Sequence, residues 1–225
     1  MKIATWNLMR PNAGTNARNK TFEDALSNCN ADIIVLTETN SNITIEGYAS
    51  VQTKKLPQQF EGFTYAAGEN RATVLSRYPF GKSYDTCDPY TAVCIEIITP
   101  AGPLLLYATI FGITGGKDQR FRQDFDSQKA DIQKLAAVHD VCVIGDFNIS
   151  FTGYAYPSNA VIKEATDFFD ANNMEILTTT IGGAEHIAVS RKFINDAAVG
   201  QPVLISCDKK VSDHGLVLVE LDWGD

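Results

Sequence analysis

No stretch of about 18 consecutive apolar residues occurs in the sequence, so no segment reads as a membrane-spanning helix. The opening residues, Met1-Lys2-Ile3-Ala4-Thr5-Trp6-Asn7, lack the apolar core and small-residue cleavage site of a secretory signal and already read as a strand. A cytoplasmic location is the expectation that follows. Cysteine is sparse and scattered: Cys29, Cys87, Cys94, Cys142 and Cys207 contain no C-x-x-C pair. An odd set in settings such as Val141-Cys142-Val143 predicts reduced core thiols. With three histidines and no close Cys/His cluster, a structural zinc centre is not expected. Basic residues are in the minority, 19 against 27 acidic ones, and the formal net charge of −8 weighs against broad electrostatic binding of nucleic acid. That balance is compatible with a metal-dependent enzyme, whose clustered carboxylates themselves add negative charge.

What the sequence does hold is enough apolar material for one core. Of 225 residues, 44% are hydrophobic and 10% aromatic, which predicts one globular domain over residues 1–225 and excludes a disordered or fibrous chain. No low-complexity tract, repeat or Pro/Gly/Ser linker divides it.

Strand and helix signals alternate. Lys2 to Leu8 reads as a strand. Phe22, Ala25, Leu26 and Cys29 then fall at helical spacing, with Thr21 and Asp24 resembling a capping box. Ile33 to Leu36 and Val141 to Ile144 are short continuous apolar runs, expected of strands buried on both faces. Thr73 to Ser76, Ala92 to Thr99 and Leu104 to Phe111 carry further strand signals, the last two joined by a hairpin connection at Pro100-Ala101-Gly102-Pro103. Phe121, Phe125, Ile132, Leu135 and Ala136 form one helical stripe, and Val161, Ala165, Phe168 and Phe169 mark another. Ile187 to Ser190, Val203 to Ser206 and Leu216 to Leu221 complete the strands. Strands outnumber helices about three to one, which predicts mixed sheets with helices outside rather than a βαβ repeat.

The polar residues that follow the apolar runs carry the chemistry. Trp6 is followed by Asn7, Ile33 to Leu36 by Thr37-Glu38, and Val141 to Ile144 by Gly145-Asp146-Phe147-Asn148; Ser212-Asp213-His214 directly precedes the last strand. Side chains at strand ends can converge on one crevice. Glu38 and Asp146 are hard oxygen ligands of the kind magnesium or manganese prefers. Asn7 and Asn148 can hold a phosphate oxygen or a water without repelling it. His214 is the one group here suited to taking a proton from water near neutral pH. Taken singly, each has a plainer reading: an asparagine after a strand is commonly a turn residue, and a glutamate at a strand end is commonly solvated. By the same reasoning His139 reads as a loop residue, His186 as a core histidine, and Lys54-Lys55 as a solvated pair.

As an ordered set, Trp6-Asn7, Thr37-Glu38, Leu75-Ser76-Arg77-Tyr78-Pro79, Gly145-Asp146-Phe147-Asn148 and Ser212-Asp213-His214 resemble the motifs of the endonuclease/exonuclease/phosphatase (DNase I-like) superfamily. The resemblance covers residues 6 to 214. It implies an α/β (α+β) fold, a four-layer α/β/β/α sandwich of two mixed β-sheets with outer helices and the site at one edge of both sheets. It also implies hydrolysis of phosphoesters with a divalent cation, Mg²⁺ or Mn²⁺. Matched by motif, Glu38 is the principal metal ligand, with Asn7 holding the metal's water or the scissile phosphate. Asp146 and Asn148 align the attacking water, stabilise the transition state and help protonate the leaving oxygen. His214 is the general base or the phosphate-polarising group, with Asp213 at the metal or its water shell.

Three positions depart from that pattern. The acidic residue that usually holds the catalytic histidine is an aspartate, whereas the matching stretch here offers Glu185, one methylene longer; the competing reading is a surface residue. The central strand, Tyr107-Ala108-Thr109-Ile110-Phe111-Gly112, ends without the His or Tyr that often reaches the phosphate, a role left vacant or open to Arg120, Arg122 or Lys117. Met9 stands where some relatives carry a second acidic residue, so one metal ion is expected. Arg77 reads as a residue supporting the site or, with Arg120 and Arg122, as a substrate contact. The substrate expected is DNA or RNA; the alternatives are a phosphatase or phospholipase-like hydrolase of a small phosphoester, an inositol phosphate or a phospholipid head group, or a catalytically silent binding module. No protein partner is implied. At this length the loops between strands are short, which predicts an open site.

Overall fold

The computed structural model of the protein describes residues 1–11, 14 and 16–224. In chain order the elements are β1 (Lys2–Asn7), α1 (Ala17–Cys29), β2 (Ile33–Asn40), β3 (Ala49–Gln52), β4 (Gln59–Phe60), β5 (Phe63–Thr64), β6 (Glu69–Ser76), β7 (Phe80–Tyr84), β8 (Val93–Thr99), β9 (Gly102–Ile110), α2 (Gln119–Ala136), β10 (Val141–Asp146), α3 (Asn159–Ala171), β11 (Met174–Ile176), β12 (Glu185–Ser190), β13 (Ala198–Val199), β14 (Val203–Ile205) and β15 (Leu216–Asp222). One sheet runs β13-β15-β1-β2-β6-β3, with β14 also on β15, and the other runs β11-β12-β10-β9-β8-β7. Each sheet contains a single parallel pair, β1 with β2 and β9 with β10, among antiparallel neighbours. A helix connects each parallel pair, because a parallel return needs a crossover.

Alternation along the strands builds three apolar layers. Ile3, Ile33, Val35 and Val74 of the first sheet pack on Ile95, Leu106, Ile144 and Ile187 of the second. On the outer face of the first sheet, Ala4, Trp6, Ile34 and Leu36 meet Phe22 and Leu26 of α1. On the outer face of the second, Tyr107, Val141 and Val143 meet Phe121, Phe125 and Ile132 of α2 and Phe169 of α3. Each such side chain contributes about 1.5–3 kcal/mol by leaving water. The four layers expected from the sequence are therefore present, and the continuous apolar runs of β2 and β10 belong to strands covered on both faces.

Local details differ from the sequence reading in two places. Helix α1 begins four residues before Thr21, capped by Asn16, whose side chain accepts from the backbone N–H of Asn19 at 2.9 Å. Thr21 lies inside the helix and donates its hydroxyl to the Ala17 carbonyl at 2.9 Å, so it does not cap. The physical reason is that asparagine is at least as good a cap and stands upstream of it. Of the five cysteines, all unpaired, only Cys94 and Cys142 are core; Cys29 and Cys207 are half-buried and Cys87 is exposed. The hairpin between β8 and β9 closes as expected, with Thr99 opposite Gly102. Among the described residues no helix is long and apolar enough to cross a membrane.

Candidate active site

The carboxyl ends of β1, β2 and β10 and the amino ends of β12 and β15 meet at one edge of the sandwich. Asn7 closes β1, Asp146 closes β10, and Glu185 opens β12 directly opposite Asp146 in the ladder. Asn7 lies on the same face as Ile3, and Asp146 and Glu185 on the same faces as Ile144 and Ile187, so alternation points all three into the space between the sheets.

Glu38 reaches that space by a different device. Counted from Ile34 and Leu36, alternation would turn it toward α1. Its φ of 44° breaks the alternation, and the β2–β6 ladder passes it by, pairing Thr37 with Ala72 and Thr39 with Asn70. A left-handed glutamate is uncommon and strained by roughly 1–3 kcal/mol. Met9, Arg10 and Asn148 at the same edge also have positive φ.

The side chains are joined by hydrogen bonds. Asn7 Nδ2 donates to Glu38 Oε1 at 2.9 Å and to Asp146 Oδ2 at 3.0 Å, bridging the sheets, while its Oδ1 accepts from the Met9 N–H at 2.8 Å. Asp146 Oδ1 accepts from the Asn148 N–H at 2.9 Å. Asn148 Nδ2 donates to the carbonyls of Phe111 and Gly112 at 3.1 and 3.0 Å, so its amide holds the neighbouring loop. His214 Nδ1 lies 2.5 Å from Glu185 Oε1, and Glu185 is 2% exposed. Asp213 is exposed, with Oδ1 3.4 Å from His214 Nε2. Ligand atoms of Asp146, Glu185 and His214 all lie within 4.8 Å of one another.

Ionisation follows from this crowding. Burial pushes the Glu38 carboxyl up, opposed by the Asn7 amide and reinforced by the Asp146 charge. Burial also raises Asp146, and the Glu185 carboxylate raises it further. Burial alone would lower His214, but the hydrogen bond and charge of Glu185, with Asp146 and Asp213 behind, push it up to about 9. No lysine or arginine forms an ion pair with Glu38, Asp146 or Glu185 among the described residues, and Glu38 Oε2 has no hydrogen-bond partner there. Hard oxygen donors with surplus negative charge and one open carboxylate oxygen fit a divalent cation such as Mg²⁺ or Mn²⁺.

Residues 4–183 match the model of the Endonuclease/Exonuclease/phosphatase family. The chain belongs to that family. No curated protein sequence matches it. Among solved structures it is similar to the endonuclease domain of TRAS1, a telomere-specific non-LTR retrotransposon, at 15% identity and a TM-score of 0.68, covering 100% of this chain and 99% of that one. It is also similar to sphingomyelinase C from Streptomyces griseocarneus, at 15% identity and a TM-score of 0.63 over 98% of both chains. A third is a beta toxin mutant from Staphylococcus aureus with bound magnesium ions, at 14% identity and a TM-score of 0.61 over 97% of this chain and 98% of that one. At these identities the likeness is one of fold.

Within the family's motifs, the structure brings Asn7, Glu38, Asp146, Asn148, Glu185 and His214 together, with Asp213 at the rim. Glu185 is buried against His214, so the surface reading of that residue does not hold. The three arginines have other partners. Arg77 follows Ser76, which pairs with Ile33 at the far end of β2, roughly 17 Å along the strand from Glu38. Its guanidinium lies over the Tyr48 ring. Arg122 Nη1 is held by Glu164 of α3 at 2.7 Å. Arg120 is met by Glu61 at 2.6 Å and Asp124 at 3.1 Å. Arg120 and Arg122 are thus paired with acidic groups, and Arg77 rests on an aromatic ring. Ile110 occupies the strand-end position next to Asp146 where the sequence lacks a His or Tyr.

Several supporting residues entered the sequence reading only as neighbours in a motif or not at all. The Trp6 indole N–H donates to the His214 carbonyl at 2.9 Å, and Ser212 Oγ donates to the Asn7 carbonyl at 2.9 Å while accepting from the His214 N–H at 3.1 Å. Together they fasten the Ser212-Asp213-His214 turn to β1. Arg18 donates to the carbonyls of Leu8, Met9 and Val211 at 2.8–2.9 Å and clamps the left-handed loop after β1. An arginine on a helix carries no mark of such a task in one sequence.

Proposed function

We propose that this protein is a divalent-metal-dependent phosphodiester hydrolase acting on DNA or RNA. The observation that carries the reading is the convergence of Glu38, Asn7, Asp146, Glu185 and His214 from separate strand ends into one acidic centre that, among the described residues, has no paired lysine or arginine. Glu38, with Asp146 beside it, is the residue that would hold Mg²⁺ or Mn²⁺. A cation held there would supply positive charge to the phosphoryl oxygens and offset the carboxylates around His214. His214 Nε2 then accepts the proton of the attacking water, with Nδ1–H held by Glu185. Asp146, its carboxyl pushed up by burial, is placed to donate its own proton to the leaving oxygen; solvent then restores that proton and takes from His214 the one it accepted. Asn7 fixes the two carboxylates relative to each other, and Asn148 fixes Asp146.

A second reading, hydrolysis of small phosphoesters, is favoured by the formal net charge of −8 and by the pairing of Arg120 and Arg122 with acidic groups. A nonspecific nuclease is expected to carry a basic track along its site. The test is cleavage of supercoiled plasmid and single-stranded oligonucleotides with Mg²⁺ or Mn²⁺, beside an EDTA blank and Asp146→Ala. Metal-dependent cleavage lost in the variant supports the nuclease reading. Inactivity on both, with turnover of small phosphoesters, moves the assignment to the second reading.

A further inference from the structure

Beside Glu38 the site opens into a cavity of about 210 Å³. Its walls are Leu56, Ile110, Ile113, Tyr65 and Phe63, with Arg10 among the polar groups at its edge. That volume is below the range of roughly 300–1,000 Å³ that accommodates a whole drug-sized molecule, so it fits one ring-sized group.

The cavity is held open by fixed parts. Phe63 stands on the β4–β5 hairpin, whose two-residue turn, Glu61-Gly62, has positive φ at both positions. Glu61 ties that turn to Arg71 and Arg120, both at about 2.5–2.6 Å. Arg10 lies over the Tyr65 ring at 4.8 Å, bonds Glu69 through Nε at 2.7 Å and Nη2 at 3.2 Å, and donates from Nη2 to the Thr64 carbonyl. Its Nη1 donates to no protein group among the described residues. Phe63 is 38% exposed, an apolar ring left facing outward beside the site.

We propose that this cavity holds one nucleobase of the substrate, on one side only of the phosphate bound at Glu38 and His214. The proposal rests on the phosphodiesterase reading above and narrows its substrate to nucleotidyl esters. Apolar and aromatic walls suit the faces of a base, which stack without regard to sequence. Arg10 Nη1 is the donor left to meet a base carbonyl or the adjoining phosphate. Ile110 at the strand end keeps the floor apolar, where a polar side chain would fill the space.

The test is hydrolysis of thymidylyl-thymidine and of its two analogues lacking one base each. Removing the base on one side lowers kcat/KM roughly tenfold or more, and removing the other lowers it much less. In Phe63→Ala that difference collapses. Equal cleavage of all three substrates by the wild type, or an undiminished difference in Phe63→Ala, overturns the proposal. If none of the three is cleaved with Mg²⁺ or Mn²⁺, the dinucleotide hydrolase reading fails by itself. Calorimetric titration with thymidine 5′-monophosphate and ribose 5-phosphate then decides the cavity: tighter binding of the nucleotide supports it, and equal affinity overturns it.

Discussion

Glu185 Oε1 lies 2.5 Å from His214 Nδ1, and the carboxylate that makes this contact is buried at the first residue of β12, opposite Asp146. A glutamate serves where a shorter side chain is the familiar choice because the ladder already points it between the sheets. Removing its charge in Glu185→Gln keeps an acceptor for Nδ1–H but withdraws the main support for protonated His214. The His214 pKa then falls below about 9 in an NMR titration. Turnover drops by roughly 10²-fold or more, the low end of what a positioned acid–base group contributes. Glu185→Asp recovers part of both. An unchanged His214 titration in Glu185→Gln would show that the pair is not coupled.

Gly145 precedes Asp146 with φ of 138°, and a Cβ there would stand 2.1 Å from the Thr109 carbonyl oxygen of the neighbouring strand. Neither backbone can give way inside the sheet. Gly145→Ala is therefore expected to destabilise by on the order of 3 kcal/mol, a fall in Tm of about 10 °C for a chain of this length. A thermal melt checks this. A Tm equal to the wild type's contradicts the close approach of β9 and β10.

His186 faces the helix layer, with Nε2–H donated to the Ile149 carbonyl at 2.8 Å and Nδ1 2.9 Å from Thr178 Oγ1. Burial pushes its pKa down to about 4. The unfolded chain binds a proton at this histidine below its ordinary value near 6.5, and the folded chain does not until about 4. Stability is therefore lost as pH falls through that window, on the order of 3 kcal/mol in total. Chemical denaturation of the wild type and His186→Gln between pH 7 and 4 is expected to show a shallower acid loss in the variant. Parallel profiles would mean that His186 is not the group responsible.

The layers were legible in the sequence for a physical reason, since the apolar runs of β2 and β10 report burial on both faces; Glu185 was left open against a surface reading, and the ladder opposite Asp146 is what shows it inward. Glu38 was legible as a carboxylate at a strand end but not by alternation, because its left-handed φ reverses the face that alternation assigns. The pairing of the arginines was legible only in part: Arg120 with Asp124 is a local i, i+4 pair, whereas their partners on other elements carry no local mark. Arg122 meets Glu164 and Arg120 meets Glu61, partners 42 and 59 positions away in sequence. The cavity beside Glu38 was not legible at all, since the hairpin carrying Phe63 gives no strong strand signal.

Arg77 and Arg122 provide a direct check on the expectation of arginine contacts to substrate. Arg77→Ala and Arg122→Ala are expected to leave KM for a phosphodiester within about twofold, the ordinary range for surface changes away from a site. Loss of the exposed Arg122–Glu164 pair costs about 0–1 kcal/mol of stability. A large rise in KM for either variant would return that arginine to the substrate path.

The most direct test of the centre itself is hydrolysis of bis(p-nitrophenyl) phosphate by the wild type and by Glu38→Gln, each with Mg²⁺ or Mn²⁺ and again after chelation. Release of nitrophenolate by the wild type that needs the metal, and that Glu38→Gln abolishes without loss of folding, is the result expected of a metal-dependent phosphodiesterase built on these residues. Release that persists in the variant or after chelation, or no release at any metal concentration, contradicts it.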